Sequence, residues 1–383
     1  MKRTVDLVYG RITEDELQRL RSRIGVKFKD KMPWITLVSD DAIRHWAYGC
    51  GDDNPLYLDE EYARKTRYGG IIAPPSILYP CDRIASGYVG GLPGVQAMYS
   101  GTNWEWFKTI RVNDRIEAIS MLKDLVEKES EFAGRAIQQI YQTDFTSQDG
   151  EIVGRAESWC FRTERDVAEK RGKYLDKTGQ LKKWSQEELE EIWEHYKKEV
   201  EGRRGSSPRY WEEVEAGEAL PSLVKGPFTP ISGVAFLQGW GGFYVHGERI
   251  AWREYIDRHP GMAPPDELGL PQGPIRVHWD NEFARRVGVP GAYDYGPQRV
   301  SWLIHMLTDW MGDDGFIRNL KSQVRRFNIW GDVQFIRGKV LEKVRKGDDG
   351  IVKVEVWAEN QRGEVTAKGD GEVLLPLALT SGK

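Results

Sequence analysis

Apolar residues recur with a period of about two in eight segments of the chain, the spacing of strands that bury one face of a sheet. The segments form two groups of four: 98–109, 115–127, 132–145 and 151–162, then 321–330, 333–345, 350–360 and 364–376. Short turns such as VND and SQDG separate neighbouring segments. We therefore predict two antiparallel meanders, one in each half of the chain.

The 3.6-residue apolar spacing of helices comes before each meander. The predicted elements are helices over 13–24, from Ser39 to Gly51, over 77–84 and from Thr229 into 239–242, with a short strand over 34–38. Ser39 and Thr229 suit helix N-caps, and Pro230 suits the first helical position. A helix followed by a meander is an α+β unit, in which the curved sheet wraps around the helix.

A charged segment separates the two units. Residues 164–208 include EELEEIWEHYKKEVEGRRG, whose apolar positions have helical spacing. We interpret this segment as a connector packed on the surface between the units. The expected organisation is a module over 1–163, the connector over 164–208, and a module over 209–383 that carries an insert over 243–277.

The two halves are related by an internal repeat. YLDEEYAR (57–64) aligns with HWDNEFAR (278–285) at an offset of 221, and the alignment continues without a gap to Pro75 and Gly296. Two further matches follow in the same order: RVND (111–114) with IWGD (329–332), and GEIVGRAE (150–157) with GEVTAKGD (363–370). Collinear matches of this kind indicate that one module was duplicated.

Composition and charge narrow the function classes. Hydrophobic residues make up 40% of the 383 positions and charged residues 30%, a globular balance. The net charge of −4 gives no basic footprint for nucleic acid, and no apolar run approaches the ~20 residues of a membrane span. The opening MKRTVDLVYG lacks the apolar region of a signal peptide, and the three cysteines are scattered. We therefore expect a reducing, cytoplasmic setting and no metal site.

The loop GDDNPLYLDEEYA (51–63) is the chemically distinctive part of the first module. It resembles the signature G-D-x-N-P-x-H-x-D-x-x-x-A of the MaoC-like hydratase/dehydratase family, the (R)-specific enoyl-CoA hydratases. Six positions match in the first module: Gly51, Asp52, Asn54, Pro55, Asp59 and Ala63. Three match in the second: His278, Asp280 and Ala284. Tyr57 stands where the family has its catalytic His, while in the second module Gly242 takes the Asp position and the insert replaces the Asn-Pro element.

The resemblance implies a fold and an activity. The fold would be a tandem, or double, hot-dog: two curved antiparallel sheets, each wrapped around a central helix. The activity would be the addition or removal of water at the 2,3-position of an acyl thioester, such as enoyl-CoA or 3-hydroxyacyl-CoA, without a cofactor. The family is understood to hold one water between the Asp and the His. A backbone N–H some eighteen residues beyond the His binds the thioester oxygen.

These requirements distinguish the two modules. In the first module the oxygen-binding position falls on Pro75, which has no N–H to donate. In the second it falls on Gly296, which has one and allows close approach. We therefore place the active site in the second module, with His278 as acid/base and the Gly296 N–H polarising the thioester carbonyl.

The alignment leaves the carboxylate of that site open. Asp294, two residues before the glycine, is our candidate for the missing acid, and a composite site that pairs Asp52 with His278 across the modules is the alternative. Asp280 is expected to cap a helix or contact substrate, because its counterpart Asp59 persists in the other module. Further candidates for substrate contact are Tyr295, Tyr57 and Asn54.

Two other functions fit the same sequence. A signature split between two copies is typical of a non-catalytic acyl-CoA-binding partner of a heteromeric hydratase, and a hot-dog thioesterase would release free thiol from acyl-CoA. The 15 tryptophans hint at a bulky acyl group. In the insert, His246, Arg249 and His259 either contact a phosphate of coenzyme A or are solvated. Both a homodimer and a heteromeric subunit fit these observations.

Overall fold

The structure is a computed structural model that describes residues 10–31, 33–131, 134–167, 181–242, 245–252, 256, 263, 265–286 and 288–378. Its strands are β1 (Lys27–Phe28), β2 (Gln96–Trp106), β3 (Glu117–Ser130), β4 (Gly134–Thr146), β5 (Ile152–Thr163), β6 (Ala219–Lys225), β7 (Phe316–Val324), β8 (Gln334–Lys346), β9 (Asp349–Asn360) and β10 (Val365–Leu375). Its α-helices are α1 (Glu14–Arg21), α2 (Asp40–Cys50), α3 (Pro55–Leu58), α4 (Glu60–Arg64), α5 (Leu78–Cys81), α6 (Gln186–Gly202), α7 (Pro230–Trp240), α8 (Glu248–Ala251), α9 (Asn281–Arg286) and α10 (Gly296–Met311).

The ten strands form one antiparallel sheet in the order β1-β3-β4-β5-β2-β7-β10-β9-β8-β6. The strand order of the second module, counted from its edge of the sheet, repeats that of the first. In this correspondence β6 is equivalent to β1, and β7, β8, β9 and β10 are equivalent to β2, β3, β4 and β5. The two meanders predicted from the sequence are confirmed. They are joined into a single sheet because β2 pairs with β7, with Gly101 opposite Gln323 and Glu105 opposite Asn319.

Helices α2 and α7 cross in direct backbone contact. A Cβ atom on Gly49 would lie 2.9 Å from the carbonyl oxygen of Ala235, and one on Gly239 would lie 2.7 Å from that of His45. Both distances are shorter than van der Waals contact, so only glycine allows this approach. The two glycines precede their helix C-caps by the same number of residues, so the crossing relates equivalent parts of the modules.

The central helices of the two modules differ in length. Helix α10 has 16 residues, and every one from Pro297 to Met311 is buried. The first module has only a 3₁₀ turn over Pro75–Ile77 followed by the single turn of α5. The helix predicted over 77–84 is therefore shorter than expected, and Pro80 inside it supplies no N–H for a longer hydrogen-bond ladder.

Two predicted strands need correction. Residues 34–38 form no strand: Leu37 makes one isolated bridge to Arg115, because the chain turns at once into the Ser39 cap of α2. The strand predicted over 321–330 runs instead over Phe316–Val324, and it ends where Arg325 departs from the regular register. The short edge strands β1 and β6 were absent from the prediction.

The connector contains the predicted helix, α6, which begins with a capping box at Ser185. Its Ile192 packs against Val224 and Val333 of the second module. Buried residues of both modules form one continuous core, in which the rings of Trp46 and Phe236 are 5.5 Å apart. The module boundaries at 163 and 209 stay predictions. Within the described residues, no helix combines the length and the apolar character needed to cross a membrane.

Replacing Gly239 with alanine is expected to lower the free energy of unfolding by about 1–3 kcal/mol, because the added Cβ overlaps the backbone of α2. Helix propensity alone predicts the opposite, about 1 kcal/mol of stabilisation. Urea unfolding measures the change. Gly70→Ala is the control, because a Cβ there meets nothing within 4 Å. Equal stabilities of the two variants would contradict the helix contact.

Candidate active site

Two adjoining cavities meet at His278, between the modules. The loop cavity has a volume of about 310 Å³ and is walled by residues 87–97 of the first module. The strand cavity has a volume of about 300 Å³ and is walled by residues 97–100 and 324–327. The residues common to both walls are Gly87, Ala97, Trp240, His278, Tyr293 and Tyr295. Each cavity is therefore built from both modules.

The backbone fixes the orientation of the His278 ring. The residue ends a 3₁₀ helix over Pro274–His278, and its Nδ1 lies 2.7 Å from the carbonyl oxygen of Tyr293. A carbonyl oxygen can only accept, so Nδ1 must carry the hydrogen. In the neutral ring Nε2 is then unprotonated and can act as a base.

Desolvation of the half-buried His278 ring favours its neutral form. It lowers the pKa of the imidazole to about 4, although the hydrogen bond to Tyr293 favours the protonated form. The ring of Tyr295 lies 4.0 Å from the imidazole ring, centroid to centroid, and adds apolar cover. The site therefore holds an unprotonated imidazole at neutral pH.

The hydroxyl of Tyr295 is available to a ligand. Tyr295 is 3% exposed, and its ring packs against Phe236 and Trp240. Its hydroxyl is buried without a hydrogen-bond partner among the residues that the structure describes. Leaving a hydroxyl unsatisfied is costly, so a group that enters either cavity would gain by bonding to it.

Gly296 begins α10, so its N–H is not used inside the helix. It lines the strand cavity and not the loop cavity. A Cβ atom here would lie 2.1 Å from Cδ1 of Tyr99. The glycine is thus required by the Tyr99 ring, whereas the sequence suggested that it makes room for substrate.

Asp294, the candidate acid, points away from His278. Its Oδ2 accepts a hydrogen bond of 2.9 Å from Asn328 and lies 2.9 Å from Nε of Arg299. Burial raises the pKa of Asp294 to about 7, although Arg299 opposes this. Asp294 lines neither cavity. The walls of both cavities, as far as the structure describes them, contain no carboxylate.

Asp280 has the capping role that was expected. Its Oδ1 accepts from the backbone N–H of Phe283 at 2.8 Å, and its Oδ2 accepts from Arg276 at 2.6 Å. In the first module Asp59 caps α4 in the same way, with 3.0 Å to the N–H of Tyr62. Asp280 also lies outside both cavity walls, so the geometry gives it no substrate contact.

The equivalent site of the first module is nearly closed. Tyr57 is 3% exposed and lines a cavity of about 40 Å³ together with Asn54 and Pro75. The second module supplies residues 308–317 to this wall, just as the first supplies 87–97 to the wall near His278. The side chain of Asn54 accepts from the N–H of Leu56, which caps α3.

Asp52 lies beside an imidazole, but that imidazole belongs to His305 of α10. Nε2 of His305 is 3.4 Å from Oδ1 of Asp52 and 3.2 Å from Oδ2 of Asp309. Burial opposes protonation of His305, but the two carboxylates outweigh it and raise its pKa. The composite pairing of Asp52 with His278 is therefore not formed.

Two cations complete this group, which we call the ionic cluster (Asp52, Glu199, Arg203, Lys225, His305 and Asp309). Lys225 of β6 donates to Glu199 of α6 at 2.9 Å and to the carbonyl oxygen of Gly51 at 2.7 Å. Arg203, just beyond α6, donates from Nε to Asp309 at 2.9 Å. The cluster thus ties the connector and the second module to the loop of the first.

The cluster balances its own charge. The ligand atoms of Asp52, His305 and Asp309 lie within 4.8 Å of one another, a spacing that would also suit a metal ion. Three carboxylates already face Lys225, Arg203 and His305, and the nearby carboxylates raise the pKa of His305 and so favour its protonated form. A divalent cation would have to displace the proton and would leave excess positive charge in a buried site, so the geometry favours the imidazolium.

Comparisons with known proteins match parts of the sequence. Residues 22–156 match the family model "FAS1-like, dehydratase domain region". The chain is 28% identical over 121 residues to a UPF0336 protein of Streptomyces griseus subsp. griseus, covering 30% of this chain and 77% of that protein. It is 38% identical over 65 residues to a probable enoyl-CoA hydratase alpha subunit of Thermomonospora curvata, covering 17% of this chain and 20% of that protein.

Solved structures match the whole fold. A MaoC-like dehydratase superposes with a TM-score of 0.62 and 17% identity, over 94% of this chain and 100% of its own. A conserved hypothetical protein of Mycobacterium tuberculosis, described as a double hot-dog, superposes with a TM-score of 0.55 and 10% identity, over 92% and 96%. The chain has the double hot-dog fold. The family resemblance and the fold class predicted from the sequence are confirmed.

Of the ionic cluster, sequence reasoning named only Asp52; the most informative members that it missed are His305 and Asp309 of α10. They lie four residues apart within the apolar helix segment WLIHMLTDWM (302–311). A His and an Asp at that spacing on a fully buried helix require polar partners, which is the signal that would have identified them. Their partner Asp52 is more than 250 positions away and is visible only in the fold.

Replacing His305 with glutamine is expected to lower the free energy of unfolding by about 3–5 kcal/mol, because two buried carboxylates lose their shared cation. The raised pKa of His305 makes this stabilisation complete below about pH 6.5 and removes it as pH rises through the folded-state value. Urea unfolding at pH 5.5 and pH 9 measures it. His195→Gln, at an exposed position of α6, is the control. A difference that is independent of pH would refute a protonated His305.

Proposed function

We propose that the chain is a hydratase/dehydratase, a hydro-lyase that acts at the 2,3-position of an acyl thioester with His278 at its centre. One observation carries the proposal: of two equivalent sites, the copy with an imidazole adjoins cavities of about 310 and 300 Å³, and the copy with Tyr57 keeps about 40 Å³. Volumes near 300 Å³ are those of small-molecule sites.

The reaction assigns one task to each group. In hydration, Nε2 of His278 accepts a proton from water while the water oxygen bonds to C3. The electrons of the C2=C3 bond move toward the thioester carbonyl, whose oxygen the Gly296 N–H binds. The imidazolium then returns the proton to C2, so the product carries a hydroxyl on C3 and one more hydrogen on C2. Dehydration follows the same steps in reverse.

Tyr295 takes the place that a carboxylate has in the family pattern. Tyr295 borders both cavities, and its buried hydroxyl has no partner in the described part of the chain. It can orient the water beside His278 without adding a charge. A neutral partner suits a buried imidazole, because a carboxylate there would raise the pKa of His278.

The relatives support this reaction class. The family model describes a dehydratase domain region, and one curated relative is a probable enoyl-CoA hydratase alpha subunit. We therefore propose an enoyl-CoA or 3-hydroxyacyl-CoA as the substrate. The names of the relatives concern those proteins, so the substrate has to be measured with this chain.

Replacing His278 with alanine is expected to lower kcat/KM for hydration of an enoyl-CoA by about 10²–10⁴, because the base is lost. Purified protein is assayed against enoyl-CoA esters of increasing acyl size. Tyr57→Phe, at the equivalent place in the closed copy, is the control and is expected to keep its activity. An unchanged rate in His278→Ala would overturn the assignment of the site.

The same assay separates the alternatives. Release of free thiol without hydration would indicate a thioesterase. Binding of enoyl-CoA without turnover, with activity that appears only when a second protein is added, would indicate a non-catalytic partner subunit.

The pH profile provides an independent check. His278 acts only while neutral, and burial lowers its pKa to about 4, so kcat/KM is expected to stay level from pH 7 to pH 5 and fall near pH 4. Circular dichroism at each pH confirms that the protein remains folded. An acid limb near the ordinary histidine value of about 6.5 would contradict the proposed burial of the ring.

A further inference from the structure

We propose that a coenzyme A thioester binds with its nucleotide end at the outer strand cavity, against Arg325 and Arg326, and its acyl chain in the loop cavity. This orientation rests on the proposed function. It deepens that function by assigning each of the two cavities to one end of the substrate.

Gly296 sets the direction of the substrate. The carbonyl carbon of the thioester is C1, and the carbon that receives water is C3, so the two lie on opposite sides of C2. Gly296 borders only the strand cavity, whereas His278 borders both. With its carbonyl oxygen on Gly296 and its C3 beside His278, the thioester has its sulfur in the strand cavity. The acyl chain beyond C3 then extends into the loop cavity.

The strand cavity offers exposed cations to phosphate groups. Arg325 and Arg326 follow the end of β7, and both of their N–H groups donate to the carbonyl oxygen of Thr366, at 2.8 and 3.2 Å. Two residues facing one partner form a bulge, which re-aims side chains and ends the regular pairing of β7 with β10. Both arginines are exposed and line the strand cavity.

The contacts of these arginines leave their charge available. Arg325 donates to the neutral amide of Gln323 at 3.1 Å. Arg326 forms a surface ion pair with Glu364 at 3.3 Å, which contributes little in water and can be exchanged for a phosphate. Arginine guanidinium groups bind phosphate oxygens well because their N–H groups match the geometry.

The loop cavity suits an acyl chain. Its wall includes the aliphatic side chains Leu92, Val95, Ile275 and Val277. Its arginines are 3% exposed and bind the protein itself: Arg162 donates to the carbonyl oxygens of Leu92 and Val95 at 2.8 and 3.1 Å, and Arg165 donates to Gln96 at 2.8 Å. The guanidinium groups thus hold the wall in place, and the four aliphatic side chains form the part of the wall that an acyl chain would contact.

The test compares two thioesters of one acyl group, the coenzyme A ester and the N-acetylcysteamine ester, which lacks the nucleotide. The double variant Arg325→Ala/Arg326→Ala is expected to raise KM for the coenzyme A ester about tenfold and to leave kcat unchanged. KM for the short ester is expected to stay within about twofold. Arg318→Ala, an exposed arginine on the same strand and outside both cavities, is the control.

Equal KM increases for both esters would show a structural effect and overturn the proposal, and so would no increase for either. An increase confined to the coenzyme A ester in Arg165→Gln would reverse the orientation. Calorimetry with free coenzyme A gives a readout without turnover: the double variant is expected to weaken binding about tenfold and Arg318→Ala to leave it unchanged. Failure of both esters to react would refute the proposed function, and the calorimetry would still decide whether the arginines bind the nucleotide.

Discussion

The hydrogen bonds between β2 and β7 determine most of what this molecule can do. They join the two meanders into one sheet and place the two modules side by side. Each module therefore supplies part of the cavity wall at the other module's site. The glycine crossing of α2 and α7 fixes the same arrangement from a second direction. Neither site can form within one module, because residues 87–97 serve His278 and residues 308–317 serve Tyr57.

The surroundings of His278 and of Asp52 shift the pKa of a nearby imidazole in opposite directions. Around His278, burial without an opposing carboxylate gives a neutral imidazole beside open space. Around Asp52, two carboxylates raise the pKa of the buried His305 and so favour its charged form, within a closed cluster of ion pairs. A base needs a free lone pair, whereas an internal ion pair needs the proton, so local charge separates a histidine that can accept a proton from one that holds carboxylates in place.

Much of this could be predicted from the sequence, because strand alternation and the repeat are local patterns. The eight long strands, the loop motifs and the place of His278 follow from them. The edge strand β1 has only two residues, and the seven residues of β6 do not alternate between buried and exposed, so neither shows the pattern of a strand. The pairing of β2 with β7 joins segments some 220 positions apart, which no local pattern reveals. Asp294 shows the limit for side chains: two residues from Gly296 in sequence, it turns to Arg299 and Asn328 instead.

Covalent linkage of the two modules has an evolutionary consequence. In a pair of identical single-module chains, every substitution appears at both sites at once, so neither site can change without the other. Here Tyr57 and Pro75 could replace an imidazole and an N–H donor while His278 and Gly296 kept theirs. With His278 as the working site, as proposed, duplication within one chain leaves the copy with Tyr57 free to change into a part that completes the wall around its twin.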